Sequence, residues 1–264
     1  MYQIVNKQNL NPTVTLMDIK APYVAAKAEA GQFIILRVDA DGERIPLTVA
    51  GYDRQNGTVR IIFQIVGPLG TATKLDGLKK VCIVGGGVGC AIALPIAQKL
   101  HEMGCNVTSI IGFRSKDIVI LEDDFRAVSD RMFLMTDDGS YGRHGNVCVP
   151  LNEMFAEGEK FDEVITIGPL IMMKFVVKAT QPTGIPCTVS MNPIMVDGTG
   201  MCGGCRLTLH RDGESITKFA CVDGPDFNGY EVDFDEAMSR GTTYKEFERA
   251  AHEHVCNLFK QEVK

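Results

Sequence analysis

The stretch Val81-Cys82-Ile83-Val84-Gly85-Gly86-Gly87-Val88-Gly89-Cys90 sets the organisation of the chain. Four apolar residues read as a short buried strand, the glycines as a turn, and Ala91 to Met103 as a helix stopped by Gly104. A second strand, Asn106 to Gly112, follows at once. Further strand patterns at Met132 to Met135 and Glu163 to Ile167 alternate with helical patterns at Ile120 to Asp130 and Leu151 to Ala156. That alternation is the signature of a parallel sheet with helices on both faces, and it places an α/β nucleotide-binding domain over residues 79–186.

In such a turn Gly85, Gly86, Gly87 and Gly89 let the backbone approach a pyrophosphate at a helix N-terminus. Read as G-x-G-x-x-G/A from Gly85 and Gly87, the third position falls on Cys90. No acidic residue closes the second strand, which runs Ile110-Ile111-Gly112-Phe113-Arg114-Ser115-Lys116. Gly112 and Arg114 join the candidate set there. Arg114 and Lys116 suit a 2′-phosphate but equally suit a solvated loop, so the choice between NAD(H) and NADP(H) stays open. Gly168-Pro169, after the strand Glu163 to Ile167, lies at the carboxyl end of the same sheet, where open α/β sheets bind ligands.

Residues 1–78 read as all-β. Gln32 to Val38, Thr48 to Tyr52 and Val59 to Val66 alternate in polarity and are separated by Asp41-Gly42 and Gln55-Asn56-Gly57, the pattern of a small Greek-key barrel. Beyond the sheet, residues 187–228 hold clustered Cys and Gly with a hairpin, Arg206 to Leu209 and Ser215 to Phe219, turning at Asp212-Gly213. Residues 229–264 form a charged tail expected to be helical, packed on the surface or docked on a partner.

The most specific signal is Asp197-Gly-Thr-Gly-Met-Cys202-Gly-Gly-Cys205, followed by Cys221. Plant-type [2Fe–2S] sites use Cys-x4-Cys-x2-Cys with a distant fourth Cys, and Asp197 stands where the first thiolate would be. Gly198, Gly200, Gly203 and Gly204 allow a loop that bends round a cluster. A carboxylate completes the anionic set as a harder donor than thiolate. A structural zinc site of three Cys and one Asp has compatible spacing and remains the alternative. His252, His254 and Cys256 are read as a surface helix end rather than a ligand set.

Composition narrows the classes. Of 264 residues 45% are hydrophobic and 23% charged, so neither disorder nor a fibre is expected. The net charge of −6 and the lack of a basic cluster argue against nucleic acid. No apolar stretch is long enough to span a bilayer, and the first residues lack a basic region before an apolar run, so a cytoplasmic location and no membrane partner are expected. Nine cysteines, an odd number, speak against a disulfide framework and for a metal.

Arg44-Ile45-Pro46-Leu47-Thr48 in the barrel and Gly67-Pro-Leu-Gly70-Thr71 after it complete the order barrel, dinucleotide sheet, cysteine loop. In that order the chain resembles the ferredoxin–NADP reductase superfamily, and within it the electron-transfer subunits related to the dihydroorotate dehydrogenase B iron–sulfur subunit. With Asp197 at the first ligand position it is most similar to the small subunits of electron-bifurcating NADH-dependent reduced ferredoxin:NADP oxidoreductases and sulfide dehydrogenases. The resemblance implies FAD in the barrel, a [2Fe–2S] cluster on Asp197, Cys202, Cys205 and Cys221, and a nicotinamide dinucleotide on Gly85 to Gly89 and Gly168-Pro169. It implies that Pro46, Leu47 and Thr48 face the flavin, with Thr48 hydrogen-bonding the ring, and that Gly67, Gly70 and Thr71 cradle its phosphates. The family's Arg position holds Ile45, with Arg44 one residue early. The implied activity is an oxidoreductase relay between hydride and single electrons, paired with a larger flavin and iron–sulfur subunit. Pairing with a dihydroorotate dehydrogenase is the alternative, and a non-redox zinc scaffold the second.

Overall fold

The computed structural model describes residues 2–10, 15–37, 44–60 and 64–242. Seven strands make the N-terminal part: β1 (Gln3–Asn9), β2 (Thr15–Lys20), β3 (Phe33–Arg37), β4 (Arg44–Thr48), β5 (Tyr52–Asp53), β6 (Thr58–Arg60) and β7 (Gln64–Leu69). They form two antiparallel sheets, β1-β2-β6-β5 and β4-β3-β7. The run Val59 to Val66, read from sequence as one strand, is divided between them: β6 pairs with β2 and β5, and β7 pairs with β3. Likewise Thr48 ends β4 and Tyr52 begins β5. Alternation in polarity marks each half but carries no sign of the change of sheet. The short helix α1 (Pro22–Ala25) helps close this region over a core of Ile19, Ile34, Val49 and Val59.

The central sheet is built on β8 (Lys80–Gly86), β9 (Asn106–Phe113), β10 (Arg131–Thr136), β11 (Arg143–His144), β12 (Glu163–Ile167) and β13 (Cys187–Ser190). Its spatial order is β11-β10-β9-β8-β12-β13, every pair parallel. α2 (Gly89–Glu102), α3 (Glu122–Val128), α4 (Cys148–Ala156) and α5 (Leu170–Thr180) connect the strands. The apolar run of β8 is explained by burial on two faces. Val81 and Ile83 enter the core shared with Ala93, Ile96 and Leu100 of α2, whereas Cys82 and Val84 enter the opposite core with Leu151, Met173 and Val176. Each such side chain, fully buried, contributes roughly 1.5–3 kcal/mol.

The hairpin β14 (Arg206–Arg211) and β15 (Glu214–Phe219) turns at Asp212 (φ +53°) and Gly213 (φ +82°), two left-handed residues as a tight primed turn requires. The chain then enters β16 (Asp226–Asn228) and α6 (Phe234–Gly241). One expectation changes here. β13 and β16, assigned to the cysteine region, belong to the central sheet, with β16 antiparallel at its edge. The apolar run from Val164 to Met173 contains the end of one element and the start of another, because α5 begins directly after Pro169. Met173, Val176, Val177 and Thr180 are its buried face, a spacing of three and four that the sequence displays. No described helix is long and apolar enough to cross a membrane. Cys82, Cys90, Cys105 and Cys187 are buried and Cys148 half-buried, as small hydrophobes should be. His252, His254 and Cys256 lie outside the described residues.

Candidate functional site

The order of the central sheet reverses between β8 and β12, which are neighbours in space with the β9 branch on one side and the β13 branch on the other. Both glycine turns leave the carboxyl ends of these two strands, at the switch point where ligands of open α/β sheets bind. They touch. A Cβ on Gly89 would lie 2.7 Å from Gly168 Cα and closer still to the Ile167 carbonyl oxygen; one on Gly168 would lie 3.1 Å from Gly86 Cα. A Cβ on Gly86 would fall 3.1 Å from Pro169 Cδ and run into Met172. These residues are glycine because two backbones pack on each other. Gly87 differs: it has φ +55° with open space around it, and its N–H donates to Gly112 O over 2.8 Å. No side chain caps α2 and no acidic residue stands in its first turn, so the positive end of its dipole faces outward unneutralised.

A cleft of about 1690 Å³ opens over this point and continues between the sheet and the N-terminal strands. That exceeds the roughly 300–1,000 Å³ of a site for one small ligand. Pro46, Leu47 and Thr48 of β4 line it from one side, Gly86, Gly87, Gly89, Gly168 and Pro169 from the other. Residues not singled out by sequence also line it: Tyr52 and Arg54, whose guanidinium lies 4.6 Å from the Tyr52 ring centre, and Met191 to Met195. The aromatic–cation pair two residues apart is the signal that a sequence reading can use for the first pair; the second segment carries none.

Other candidates are placed elsewhere. Gly85 lies within β8 against Cys90, and Gly112 packs on Val147 inside the sheet. Burial pushes the Cys90 thiol up to about 12, so the residue at the third motif position is an inert neutral filler. Arg114 is exposed just past β9 and does not line the cleft. Gly67 lies within β7, and the side chain of Arg44 is outside the described part. At Gly70-Thr71, the expected phosphate cradle, Thr71 N donates to Gly224 O (2.6 Å) and its hydroxyl to Val222 O (3.3 Å), and neither residue lines the cleft. Both donors of Thr71 are spent on the segment following Cys221, which ties the barrel exit to the cysteine region.

The cysteine loop is wound round a carboxylate. Asp197 accepts from Thr199 N, Thr199 Oγ1, Met201 N and Cys202 N, each at 3.1 Å. Burial raises its pKa, but the Thr199 and Cys202 donors outweigh that and hold it down at about 2. Gly198, Gly200 and Gly203 take φ of +75°, +87° and +66°; Gly204, expected to share this, does not have positive φ. Gly198 seats the loop against the barrel, where a Cβ would lie 2.8 Å from Leu69 Cδ1 and 2.9 Å from Ile35 Cγ1. Cys205 and Cys221 are buried with their sulfurs 3.1 Å apart, while Cys202 is exposed, its sulfur accepting from Gly204 N.

Among the described residues no three of the His, Cys, Asp and Glu side chains converge as a ready single-ion site. The donor set nonetheless suits an iron–sulfur centre. Burial and the neighbouring Cys205 thiol push the Cys221 thiol up to about 12, so Cys221 stays neutral unless a cation is present to hold its thiolate. The already ionised Asp197 and the exposed Cys202 supply the remaining donors from the same loop.

Comparison with known proteins agrees. The family model for the iron–sulfur cluster binding domain of dihydroorotate dehydrogenase B matches residues 192–233. The chain is similar to the dihydroorotate dehydrogenase B (NAD(+)) electron transfer subunit homolog of Thermotoga maritima, at 42% identity over 95% of this chain and 94% of that one. The electron transfer subunit of the same enzyme from Streptococcus pneumoniae is 31% identical over 85% and 97%. Among solved structures, a chain of NADH-dependent reduced ferredoxin-NADP oxidoreductase superposes with a TM-score of 0.87 at 41% identity, covering 96% of this chain and 97% of that one. At 42% and 31% identity across nearly the whole length of these relatives, the chain belongs to the family of dihydroorotate dehydrogenase B electron transfer subunits and their homologues.

Proposed function

We propose that this chain is the oxidoreductase subunit that passes electrons between NAD(H) or NADP(H), FAD and a [2Fe–2S] cluster within an electron-bifurcating NADH-dependent ferredoxin:NADP oxidoreductase. The observation that carries it is the end-to-end match, at 41% identity, to a chain of that oxidoreductase. FAD, when bound, supplies the exchange between a hydride pair and the single electrons that an iron–sulfur centre accepts.

The residues divide the work. The glycine walls at Gly86 to Gly89 and Gly168-Pro169 admit a dinucleotide to the N-terminus of α2, whose unpartnered dipole favours the pyrophosphate. Pro46, Leu47 and Thr48 form the facing wall, where Thr48 is suited to hydrogen-bond a flavin ring. Since hydride transfer depends on alignment, the contribution of these residues is to hold two planar rings in register and exclude water. Asp197, Cys202, Cys205 and Cys221 hold the cluster, and the contact of Gly198 with Ile35 and Leu69 keeps their loop on the barrel. Met201, Val196, Ile194 and Val222 are exposed around this loop, an apolar surface that a larger catalytic subunit would cover.

A second reading, pairing with a dihydroorotate dehydrogenase, is favoured by the family match at residues 192–233. Anaerobic purification of the native complex decides. We expect FAD, iron and sulfide in this subunit, colour bleached by NADH or NADPH, and ferredoxin reduction by the complex. Dihydroorotate-dependent NAD⁺ reduction would favour the second reading, and a colourless zinc-loaded protein would remove both.

A further inference from the structure

The last described helix, α6, reaches the cysteine loop through Arg240. Arg240, in the last turn of α6, has Nη2 3.4 Å from the carbonyl oxygen of Gly204, the residue directly before Cys205 and two after Cys202. Its Nη1 lies 3.5 Å from Glu236 Oε1, one turn back. Among the described residues, both Arg240 Nη1 and Glu236 Oε2 are buried without a hydrogen-bond partner. The helix that carries them is fixed independently: Asp233 caps it by accepting from Glu236 N (2.8 Å), Phe234 and Ala237 are buried, and Lys174 of α5 pairs with Asp235 (2.6 Å).

A surface Arg–Glu pair one turn apart gains little; in this half-buried pair the Nη1 and Oε2 atoms lose water without gaining a hydrogen bond, a cost in free energy unless the charge serves another group. The two ends of the guanidinium face different things, Nη1 the carboxylate and Nη2 the loop. The cation therefore lies between Glu236 and the loop, and the loop sees the positive end of the pair. We propose that Arg240 is a positioning residue for the [2Fe–2S] centre: it braces the span from Cys202 to Cys205 through Gly204 and raises the reduction potential of the centre, with Glu236 partly opposing it. The inference rests on the reading that this loop holds the cluster. A centre bound by three thiolates and a carboxylate is anionic and becomes more so on reduction, so a nearby fixed cation favours the reduced form.

The test is an EPR-monitored redox titration, with iron and sulfide analysis, of the full complex carrying wild-type chain, Arg240→Gln, Arg240→Lys or Glu236→Gln. We expect Arg240→Gln to keep iron and sulfide while its reduced-to-oxidised ratio at a fixed ambient potential falls about threefold or more. Glu236→Gln should move that ratio the opposite way, and Arg240→Lys should stay nearer wild type than Arg240→Gln. Should Arg240→Gln lose the cluster, the sign of the Glu236→Gln shift decides alone. Unchanged midpoints in the Gln variants, or shifts of one sign in both, overturn the inference. A wild-type chain without iron and sulfide overturns the cluster reading and this inference with it, a result distinguishable from the first by analysis alone.

Discussion

At the turn after β8, glycine is required because backbone packs on backbone; in the loop from Asp197 to Cys205, glycine is required because the chain winds round one carboxylate. The Cβ that Gly89 lacks would meet Gly168 and the Ile167 carbonyl, atoms fixed by a sheet. The Cβ atoms that Gly198 and Gly200 lack would meet the ends of Leu69, Ile35 and Val222 side chains, which can move. The first segment is rigid before any ligand arrives. The second is held by four hydrogen bonds to a single side chain, and Cys221, which packs on its Cys205, stays a neutral thiol until a metal holds its thiolate. A dinucleotide site profits from a preformed wall, whereas a metal site can take part of its order from the metal.

The contrast can be broken most severely at Gly89. Gly89→Val should cost about 3 kcal/mol or more of stability and abolish dinucleotide binding, since neither backbone can yield; denaturant unfolding with NADH titration measures both. Gly87→Ala, with open space but φ +55°, should cost only about 1 kcal/mol. Equal losses at the two positions would remove the claim of backbone contact.

In the cysteine loop the largest effect falls on metal rather than on folding. Cys205→Ser should eliminate the iron–sulfur absorption while lowering the stability of the metal-free chain by about 1–2 kcal/mol. Retention of full iron and sulfide would show that Cys205 is not a ligand.

Two carboxylates then sharpen the comparison through pH. Asp197, held down at about 2 against 3.8 unfolded, contributes stability that is complete above pH 4 and lost as pH falls toward 2. In metal-free protein the Tm deficit of Asp197→Asn should therefore be flat from pH 8 to 5 and shrink below 4. Asp226 is the converse. Burial raises its pKa, Thr73 donates to one carboxyl oxygen over 2.6 Å, and the other has no hydrogen-bond partner among the described residues. Its stabilising contribution is present at low pH and lost as pH rises through its raised pKa, so Asp226→Asn should gain Tm relative to wild type as pH increases from 4. A parallel pH course for the two variants would refute the assignment.

The smallest effect is expected at the facing wall. Thr48→Val should slow flavin reduction by NADH by about fivefold, the worth of one hydrogen bond, while FAD content stays constant. Stopped-flow kinetics at an unchanged rate would leave Thr48 as wall packing alone.

What was legible from residues alone follows the range of each signal. The strand at Val81 to Val84, the glycine turn, the hairpin turning at Asp212-Gly213 and the Asp-Cys-Cys spacing are local patterns whose backbone demands are met by adjacent residues, and each sits where its sequence placed it. The split of Val59 to Val66 between two sheets was hidden because alternation has the same period in either sheet. A Gly-Thr pair such as Gly70-Thr71 looks alike whether its donors face a ligand or, as the donors of Thr71 do here, the carbonyls of residues 222 and 224, over 150 positions away.

A parallel nucleotide sheet, a mainly β N-terminal part and a cysteine- and glycine-rich loop were legible in the residues themselves, since periodicity and turn chemistry act over a few positions; the short helix α1 within the N-terminal part was not. That Gly86 to Gly89 and Gly168-Pro169 form one wall, that β13 and β16 extend the sheet, and that Arg240 reaches Gly204 became visible only in three dimensions. Those are contacts between residues remote in the chain, and which surfaces meet is set by burial of whole elements rather than by any local pattern.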